Sequence, residues 1–460
     1  MKACHSIIPV FDDPNLVSAA GLVPVLALAS RAGLEDRLGE QLSVASANSV
    51  AKARSVIAGM LAGADSIDDL DLLRAGGMGR VVAGVRAPST LGTFLRSFTH
   101  GHVQQLDKIS AGVLAGLSAQ VPGLLAGGRG AGGMVFIDVD DTIRAVHGYA
   151  KQAAGFGYSG VRGLNIQLAT ASTPTSAPVI ARARLRRGNV ISHQGAPRLV
   201  AQAIATARAA GAGGQLMVRA DSAYYVRAFC AAAVRHGAWF SVTARMNPQV
   251  IKAIAAINPD AWTPIKYPKA IWDELAGGWV SDAQIAEVPF TAFTSLPKNK
   301  QITCRLVVRR VKRLQPRTSD GSVQGELFAD WRHHAFVTNS TLDTIEADQR
   351  HRAHAIIEQV IAELKDGPLA HLPSGNYAAN AAWVAFAALA FNLARAASIA
   401  AAMPTARWAT LRRRIIAVPA RLASTGRRLV LHLPTRWPWA SAWANLWDTT
   451  ATGPPPAATT

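Results

Sequence analysis

The stretch ADQRHRAHAIIEQVIAELKDG, residues 347–367, combines an acid and a base on one predicted helix. Glu358 and Lys365 are seven residues apart, so at about 100° per residue they project from nearly the same side. Glu363 lies roughly 140° away from Glu358 and is expected to face water. The apolar residues of the helix, which predict that Glu358 is held near a packed interior, are Ile356, Ile357, Val360, Ile361 and Leu364. A carboxylate held in this way needs other acids or a cation as partners.

The composition is that of a large and strongly basic chain. It has 460 residues, half of them apolar, which is enough for about two or three domains with sizeable cores. The formal net charge of +19 and the pI near 10.6 favour a polyanionic partner, nucleic acid first and an anionic membrane surface second. The three cysteines are widely spaced and include no CxxC pair, which fits a reducing cytoplasm without a cysteine zinc site.

Neither secretion nor a membrane span is expected. The first residues, MKACHSIIPVFDDPNL, have acids where a signal peptide would need an apolar core. The most apolar late segment, residues 381–391, is short for a span and runs into Asn392 and Arg395. This segment therefore predicts a core helix, and no membrane contact is expected.

The segment MVFIDVDDTIRAVHG, residues 134–148, predicts a buried strand with acids near its end. Alternation puts Asp138 and Asp140 on one face of the strand and Asp141 on the other. Two like charges on one face are costly unless a cation or a basic group neutralises them, so this is a candidate metal site. The alternative interpretation is an Asp-rich turn that ends the strand.

A further acid follows a second buried strand in QLMVRADSAYY, residues 215–225. Asp221 lies just beyond the strand, where ligands commonly bind in open α/β sheets. Asp221 could therefore belong to the same site as the acids of residues 138–141. Alternatively, Asp221 and Ser222 cap the helix that follows.

Two basic regions are candidates for DNA contact. In PSTLGTFLRSFTHGH, residues 88–102, Ser89 or Thr90 can cap a helix from which Arg96 reaches outward, although an ordinary helical bundle would look similar. The strand RLVVRRVKRL, residues 305–314, carries Arg309 and Arg310 at a density suited to phosphate contacts. A sheet edge protected by charge is the alternative for this strand.

The three separated acids indicate a particular chemistry. Two divalent cations held by carboxylates can activate water or a 3′-hydroxyl and stabilise the leaving oxygen in phosphoryl transfer. Oxygen ligands suit Mg²⁺, whereas the absence of a Cys/His ligand set argues against zinc. No GxxxxGK[ST] motif and no GxGxxG motif in a strand-to-helix context is present, which argues against nucleotide-driven and redox chemistry.

The chain resembles the DDE transposases of bacterial insertion sequences, in the cut-and-paste group with a Y-R-E-K signature, and most closely the insertion-sequence family thirteen-eighty. The similarity covers nearly the whole chain. It rests on the segments IDVDDTIRAVHG, GYSGVRGLNIQL, VRADSAYY, HGAWFSVTARMN, IIEQVIAELKDG and NYAANAAWVAFAALAFNLARA, with APSTLGTFLRSF and LPTRWPW in support.

The resemblance implies an α/β fold with a ribonuclease H-like catalytic core, a β-rich insertion and an N-terminal helical DNA-binding region. The expected boundaries are a DNA-binding region over 1–130, the first part of the core over 131–244, the insertion over 245–342, the second part of the core with the glutamate helix over 343–403 and a basic C-terminal region over 404–460. Asp140, Asp221 and Glu358 are the implied catalytic and metal-binding acids. Asp140 fits the D-x-T pattern of the family, and Asp138 is the reserve choice.

The signature spacing Y-x2-R-x3-E-x6-K falls on His351, His354, Glu358 and Lys365. Both the tyrosine and the arginine are thus replaced by histidine. Arg352 could supply the missing cation, and Lys365 keeps its position, so these residues are expected to contact the DNA end.

By the same resemblance, the protein binds the terminal inverted repeats of its element, cleaves the ends and joins them to target DNA with Mg²⁺, for which Mn²⁺ could substitute. A hairpin on the excised end is compatible with this group. Double-stranded DNA is the expected partner, with at least a dimer on DNA, in the bacterial cytoplasm at the nucleoid. The alternatives are a metal-dependent nuclease on the same fold and a catalytically inactive, transposase-derived DNA-binding protein.

Overall fold

A computed structural model describes residues 8–130, 132–266, 272–273, 278–279, 283–312, 331–426 and 428–452. The last two residues of the arginine-rich strand predicted over 305–314 lie outside these ranges.

The first part of the chain is mostly helical, in agreement with the prediction. Its elements are β1 (Leu16–Val17), α1 (Leu22–Arg31), α2 (Leu34–Gln41), α3 (Ser49–Ala62), α4 (Met78–Val81), α5 (Pro88–Arg96) and α6 (His100–Gln120). The prediction that Ser89 or Thr90 caps a helix is wrong, because α5 begins at Pro88, whose fixed φ suits the first helical turn. Thr99 caps α6 instead, in a reciprocal arrangement with His102.

A large mixed sheet occupies the middle of the chain. Its strands, together with a separate β9–β10 hairpin, are β2 (Met134–Ala145), β3 (Gly155–Phe156), β4 (Arg162–Thr173), β5 (Ser176–Arg186), β6 (Gln215–Ala220), β7 (Trp239–Thr243), β8 (Thr263–Ile265), β9 (Trp272–Asp273), β10 (Gly278–Trp279), β11 (Ala283–Ala292), β12 (Ile302–Lys312) and β13 (Trp331–Thr338). The first strands run in the order β5–β4–β2–β6–β7. β4 is antiparallel to β2 and β5, whereas β2, β6 and β7 are parallel.

The strands after β7 extend the same sheet. β13 pairs antiparallel with β7, with Phe336 opposite Thr243. β12, β11 and β8 then follow outward, each antiparallel to its neighbour. The chain therefore leaves β7, builds this extension and returns on the strand beside β7.

The remaining helices are α7 (Ala196–Ala209), α8 (Arg227–Arg235), α9 (Pro248–Ala255), α10 (Thr344–Arg352), α11 (Ile356–Lys365), α12 (Tyr377–Ala400), α13 (Trp408–Leu411) and α14 (Ala440–Thr452). The prediction of one helix through residues 347–367 is wrong in one respect. A single 3-10 turn, Ala353–Ala355, separates α10 from α11.

Helix α12 is long and apolar enough to cross a membrane, but 94% of its most apolar window is buried inside the protein. It packs against α6, α3 and β5, which confirms the interpretation of this segment as a core helix. The buried side chain of Asn392 is also satisfied within the protein, because it bonds the backbone N–H and C=O of Ile180 at 2.8 Å each.

The C-terminal segment returns to the N-terminal helices. β14 (Ala420–Thr425) and β15 (Arg428–His432) form a hairpin, and β14 pairs antiparallel with β1 through Leu16 and Arg421. Helix α14 packs beside α1 and α12. The two ends of the described chain thus share one packing unit.

Candidate active site

Asp140 and Asp221 occupy equivalent positions on two neighbouring parallel strands. β2 and β6 pair in register as far as Val139 and Ala220, and the two aspartates are the next residues of the two segments. Their carboxylates act on each other, because the charge of Asp221 raises the pKa of Asp140. Parallel pairing has therefore brought together two acids that are far apart in the sequence.

The Asp140 carboxyl group is difficult to ionise. Its removal from water raises its pKa to about 6, and repulsion by Asp221 and Asp141 adds to this effect. The backbone N–H of Asp141, which donates to Asp140 Oδ1 at 2.7 Å, and the nearby His354 both oppose the rise. A nearby cation would stabilise the ionised form.

Asp221 lies at the surface and also organises the turn that follows it. Its Oδ1 accepts a hydrogen bond from the N–H of Ala223 at 3.0 Å, which caps the 3-10 turn Ser222–Tyr224. Partial desolvation raises the pKa of Asp221, the N–H of Ala223 lowers it, and the charge of Asp141 raises it again. The capping interpretation and proximity to Asp140 thus apply to the same carboxylate.

Asp138, the reserve choice for the first acid, is fully buried in a different role. Arg219 donates to both of its oxygens at 2.7 Å, and the His354 ring lies 3.0 Å from Oδ1. Burial alone would raise the pKa of Asp138, but Arg219 and His354 outweigh it and hold the pKa below its usual value. Since its charge is already neutralised, the geometry favours Asp140 over Asp138 as a metal ligand.

Asp141 is held by side chains that sequence reasoning missed. Arg186 Nη2 lies 2.7 Å from its Oδ2, the Tyr224 hydroxyl donates to Oδ1 at 3.1 Å, and Asn165 donates to Oδ2. A signal was present, because Asn165 and Gln167 interrupt an apolar strand, and buried polar side chains require partners. These bonds fix the strand directly beside Asp140.

The two glutamates of α11 have exchanged the expected environments. Glu358 is exposed, whereas Glu363 is only 9% exposed. The predictions that Glu358 is held near the interior and that Glu363 faces water are therefore wrong. Glu363 accepts a hydrogen bond from the Trp408 N–H at 2.7 Å and pairs with Arg395 at 3.4 Å, so the segment after α12 covers it.

Glu358 faces a cleft of about 450 Å³. The cleft is lined by Glu358, Gln359, Ala362, Glu363, Asp366, Gly367, Arg407, Trp408, Ala409 and Arg412. In the described ranges, no three His, Cys, Asp or Glu side chains lie close enough together to hold a metal ion. The structure thus brings Asp140 and Asp221 together, while Glu358 does not complete the cluster in this conformation.

Lys365 and His354 link α11 and its preceding turn to the acid pair. Burial is the main cause of the lowered pKa of Lys365, Arg144 lowers it further, and Asp140 opposes both. His354 acts on both Asp140 and Asp221. Glu358 lies between these two residues in the sequence, but its side chain lines the cleft with Arg407 and Trp408.

His351, at the position of the signature tyrosine, lies on α10 and packs against the sheet. Its ring stacks on Phe336 with centroids 4.1 Å apart. Its two nitrogens lie 2.8 Å from Ser241 Oγ and 3.0 Å from Thr243 Oγ1, and burial lowers its pKa to about 3. Both nitrogens are engaged within the protein, so the expected contact with a DNA end has no donor in this arrangement.

Comparison with known families identifies the protein. The family model described as transposase DDE domain group 1 matches residues 4–452, which is nearly the whole chain. The chain belongs to this family of DDE transposases. It is therefore an enzyme of DNA transposition, and the prediction of a DDE transposase is confirmed.

Among solved structures, the transposase is similar to the piggyBac transposase synaptic complex with hairpin DNA, determined by cryo-electron microscopy. The identity is 9%, the TM-score is 0.40, and the match covers 88% of this chain and 79% of that chain. No curated protein matches the transposase.

The remaining arginines predicted to bind DNA lie in three different environments of the transposase. Arg96 is exposed at the end of α5 and bonds Thr93 at 3.1 Å. On β12, Arg309 lies 3.9 Å from Asp348, which also pairs with Arg352 at 2.8 Å. Arg310, also on β12, stacks between Trp262 and Trp331 and bonds Gln284 at 2.7 Å.

Arg309 and Arg310 are consecutive residues of a strand and project from opposite faces. They therefore cannot contact the same DNA backbone from one face of the sheet. Arg352 is held by an i,i+4 ion pair with Asp348.

Proposed function

We propose that this transposase binds the terminal inverted repeats of its own element, cleaves the ends and joins the resulting 3′-hydroxyls to target DNA. The observation that carries the proposal is the adjacency of Asp140, within β2, and Asp221, directly after the neighbouring parallel strand β6. Two uncompensated carboxylates so close together form a strongly anionic site. Together with a basic chain of net charge +19, they suit metal-assisted chemistry on a polyanion.

The strand order β5–β4–β2–β6–β7 supports a ribonuclease H-like core, because three antiparallel strands are followed by two strands parallel to the first. In this proposal, residues 1–130 include the DNA-binding helices and residues 245–342 the β-rich insertion. The core then resumes over 343–403, followed by the basic region 404–460. The proposed host context is a bacterial insertion sequence of family thirteen-eighty, acting in the cytoplasm at the nucleoid.

The donor set at the site fits Mg²⁺, with Mn²⁺ as a substitute, because all proposed ligands are carboxylate oxygens. Asp140 and Asp221 would hold the cations, with Glu358 as the third ligand. When bound, two such cations favour a nucleophilic oxygen and stabilise the leaving oxygen in phosphoryl transfer. Asp138 contributes indirectly in this proposal, because its pair with Arg219 fixes the register of the two strands.

The cations of the chain have separate roles in the proposal. Lys365, close to Asp140, contacts the phosphate at the reacting end. Arg352, at the end of α10, adds positive charge there, and His354 in the following 3-10 turn is a further contact for the DNA end. Arg96, Arg309 and Arg310 contact DNA further away, and pairing of two ends requires at least a dimer on DNA.

The test uses duplexes made from the sequences that flank the coding region, incubated with protein and Mg²⁺. The expected result is cleavage at the ends and, with precut ends and a supercoiled target, joined products. Asp140→Asn, Asp221→Asn and Glu358→Gln should each abolish both reactions while end binding persists. Asp260→Asn, at an exposed acid between α9 and β8, is the matched control and should retain both.

Cleavage without joining would identify a nuclease, and end binding without cleavage by the unmodified protein would identify an inactive DNA-binding protein. Either result contradicts the proposal. Unchanged cleavage by Asp221→Asn would remove that residue from the site.

A further inference from the structure

Two neighbouring loops near the acid pair expose aromatic and apolar side chains. One, residues 146–161, connects β2 to β4 and contains β3, and the other, residues 187–195, connects β5 to α7. Their exposed large apolar residues are Tyr149, Phe156, Tyr158, Val161 and Ile191. Tyr149 and Tyr158 are fully exposed, and Phe156 is 67% exposed. We refer to Tyr149, Phe156 and Tyr158 as the aromatic surface. Apolar patches of this kind mark binding surfaces in soluble proteins.

The backbone holds these two loops firmly together. The N–H of Gly188 donates to the carbonyl of Ala153 at 3.1 Å. A Cβ atom at Gly157 would lie 2.6 Å from the carbonyl oxygen of Gly188, and one at Gly188 would lie 2.0 Å from that of Gly163. Such close approach requires glycine. The aromatic surface is therefore built on a fixed backbone.

Arg162 fixes the first loop from the side. Its Nη1 donates to the carbonyl of Gly148 at 2.6 Å and its Nη2 to that of Tyr149 at 3.3 Å. The guanidinium also lies 6.0 Å from the centre of the Tyr149 ring. Across the β3–β4 pair, Arg162 is directly opposite Phe156. One cation is thus placed between two members of the aromatic surface.

Arg186 ties the second loop to Asp141, the residue next to Asp140. Its Nη2 bonds Asp141 at 2.7 Å, while its Nη1 bonds the carbonyls of Ser192 and Gln194 at 2.9 Å and 2.8 Å. From Asp140, β2 continues to Ala145, beside the start of the first loop. At about 3.3 Å per residue this distance is roughly 17 Å, which corresponds to about five nucleotides of a DNA strand.

The charge of this part of the chain selects the partner. Residues 142–220 contain ten arginines and lysines and no aspartate or glutamate. Arg187, the first residue of the second loop, is exposed. Aromatic side chains interleaved with cations suit single-stranded nucleic acid, whose bases stack on the rings while the phosphates meet the cations.

We propose that the aromatic surface stacks on unpaired nucleobases of the DNA strand that passes Asp140 and Asp221. The inference rests on the proposed function for the position of that strand, but it concerns a separate binding step. Stacking would hold bases that are unpaired near the cleaved phosphate and would favour distorted or gapped DNA over intact duplex. Because every base has a stacking face, the contact would be tolerant of sequence.

The test compares an intact duplex with a gapped duplex of the same arbitrary sequence that has 2-aminopurine in the gap, in Ca²⁺ without cleavage. The unmodified protein should bind the gapped duplex more tightly and quench the 2-aminopurine fluorescence. The triple variant Tyr149→Ala/Phe156→Ala/Tyr158→Ala should lose the quenching and bind the gapped duplex on the order of tenfold or more weakly. Its affinity for intact duplex should change much less.

Three further variants test whether the rings themselves cause the quenching and the preference for gapped DNA. The triple variant Tyr149→Phe/Phe156→Tyr/Tyr158→Phe keeps all rings and should retain the quenching. Trp447→Ala removes an exposed aromatic residue of α14 and should behave as the unmodified protein. Arg187→Gln should weaken binding to both DNAs and reduce the salt dependence of binding. Thermal unfolding checks that each variant is folded.

Retention of quenching and gap preference in the alanine variant would overturn the proposal. So would a change in oligomeric state or in binding to anionic vesicles with unchanged DNA affinity, because the surface would then serve another partner. If the unmodified protein cleaves its end duplexes with Mg²⁺ but shows no ring-dependent quenching, only the stacking proposal fails. If quenching depends on the rings but no cleavage occurs, the proposed function fails and the stacking surface remains.

Discussion

Asp138 and Arg219 form a two-point ion pair inside the sheet, with both N–O distances at 2.7 Å. They lie directly opposite each other on β2 and β6, and both side chains are almost completely buried. The pair therefore couples β2, which carries Asp140, to β6, which ends directly before Asp221. Arg219 neutralises one of the two acids on this face of β2, which leaves the charge of Asp140 to be balanced by another group.

Replacing Arg219 should cost much of the stability of the protein. Arg219→Met leaves Asp138 buried without its main cation, and the free energy of unfolding should fall by about 3–5 kcal/mol. Arg350→Met is the control, because Arg350 and Glu346 form a half-exposed i,i+4 pair whose loss costs about 0–1 kcal/mol. Urea unfolding measures both. Similar losses of unfolding free energy in the two variants would contradict the role of Arg219 as the main cation of Asp138.

The raised pKa of Asp140 predicts that stability depends on pH. Its pKa is 3.8 in the unfolded reference and about 6 in the folded protein, so the folded state holds more protons between these values. The stability contributed by Asp140 is therefore full below about pH 4 and is lost as the pH rises to about 6. Asp140→Asn should exceed the unmodified protein by on the order of 1–2 kcal/mol at neutral pH, and by much less in acid. Urea unfolding at the two pH values checks this.

Cation binding should follow the opposite trend, because a divalent cation requires the ionised carboxylate. Mn²⁺ should raise the midpoint of thermal unfolding more at neutral pH than at pH values below the pKa of Asp140. The effect should disappear in Asp140→Asn and persist in Asp260→Asn. An equal shift in all three proteins would show that the cation binds elsewhere.

The two glutamates of α11 should separate folding from catalysis. Glu363→Gln removes the buried charge that meets Arg395 and the Trp408 N–H, and it should lower the free energy of unfolding by about 2–4 kcal/mol. Glu358→Gln should leave stability unchanged because Glu358 is exposed. It should lower DNA cleavage by more than about 100-fold, since loss of a mere partner of a metal ligand already costs about 10- to 100-fold. Urea unfolding and cleavage assays provide the measurements. A loss of stability in Glu358→Gln and a loss of cleavage with unchanged stability in Glu363→Gln would refute these two roles.

His351 should affect stability in a pH-dependent manner. Burial lowers its pKa from 6.5 to about 3, so the unfolded chain binds more protons between these values. Its contribution is present above about pH 6.5 and is lost as the pH falls towards about 3. His351→Phe keeps the ring on Phe336 but loses two hydrogen bonds, and it should be less stable by about 1–3 kcal/mol at neutral pH.

At pH 4 the difference between His351→Phe and the unmodified protein should shrink by on the order of 2–3 kcal/mol. His371→Phe is the control, because His371 is 65% exposed in its side chain and pairs with Asp65 at the surface. Urea unfolding at both pH values provides the measurement. A constant difference across the pH range would contradict the buried, neutral imidazole.

The sequence predicted well those features that depend on local pattern. The apolar run before Asp140 and the run before Asp221 are both buried strands, as expected. Parallel pairing of these strands then puts the two acids side by side. The polarity of α12 was also informative, because an apolar segment ending at Asn392 and Arg395 is a core helix rather than a span.

Features that depend on distant partners were missed. The apolar residues of α11 cover a wide arc, and periodicity alone could not decide which glutamate lies at its buried border. Glu363 is buried because Trp408 and Arg395 reach it from later segments. The 3-10 turn Ala353–Ala355 also changes the phase between His351 and Glu358, so a spacing counted on one continuous helix misplaced the histidine.

The extension after β7 is joined to the core by ladder hydrogen bonds as well as by the chain itself. If only a flexible linker joined the extension to the core, the extension could rotate independently of the core. Here β13 is hydrogen-bonded to β7, and β7 is hydrogen-bonded to β6, the strand directly before Asp221. A displacement of the outer edge at β8 would therefore be transmitted through the continuous sheet. A macromolecule bound at that edge could in this way change the position of Asp221.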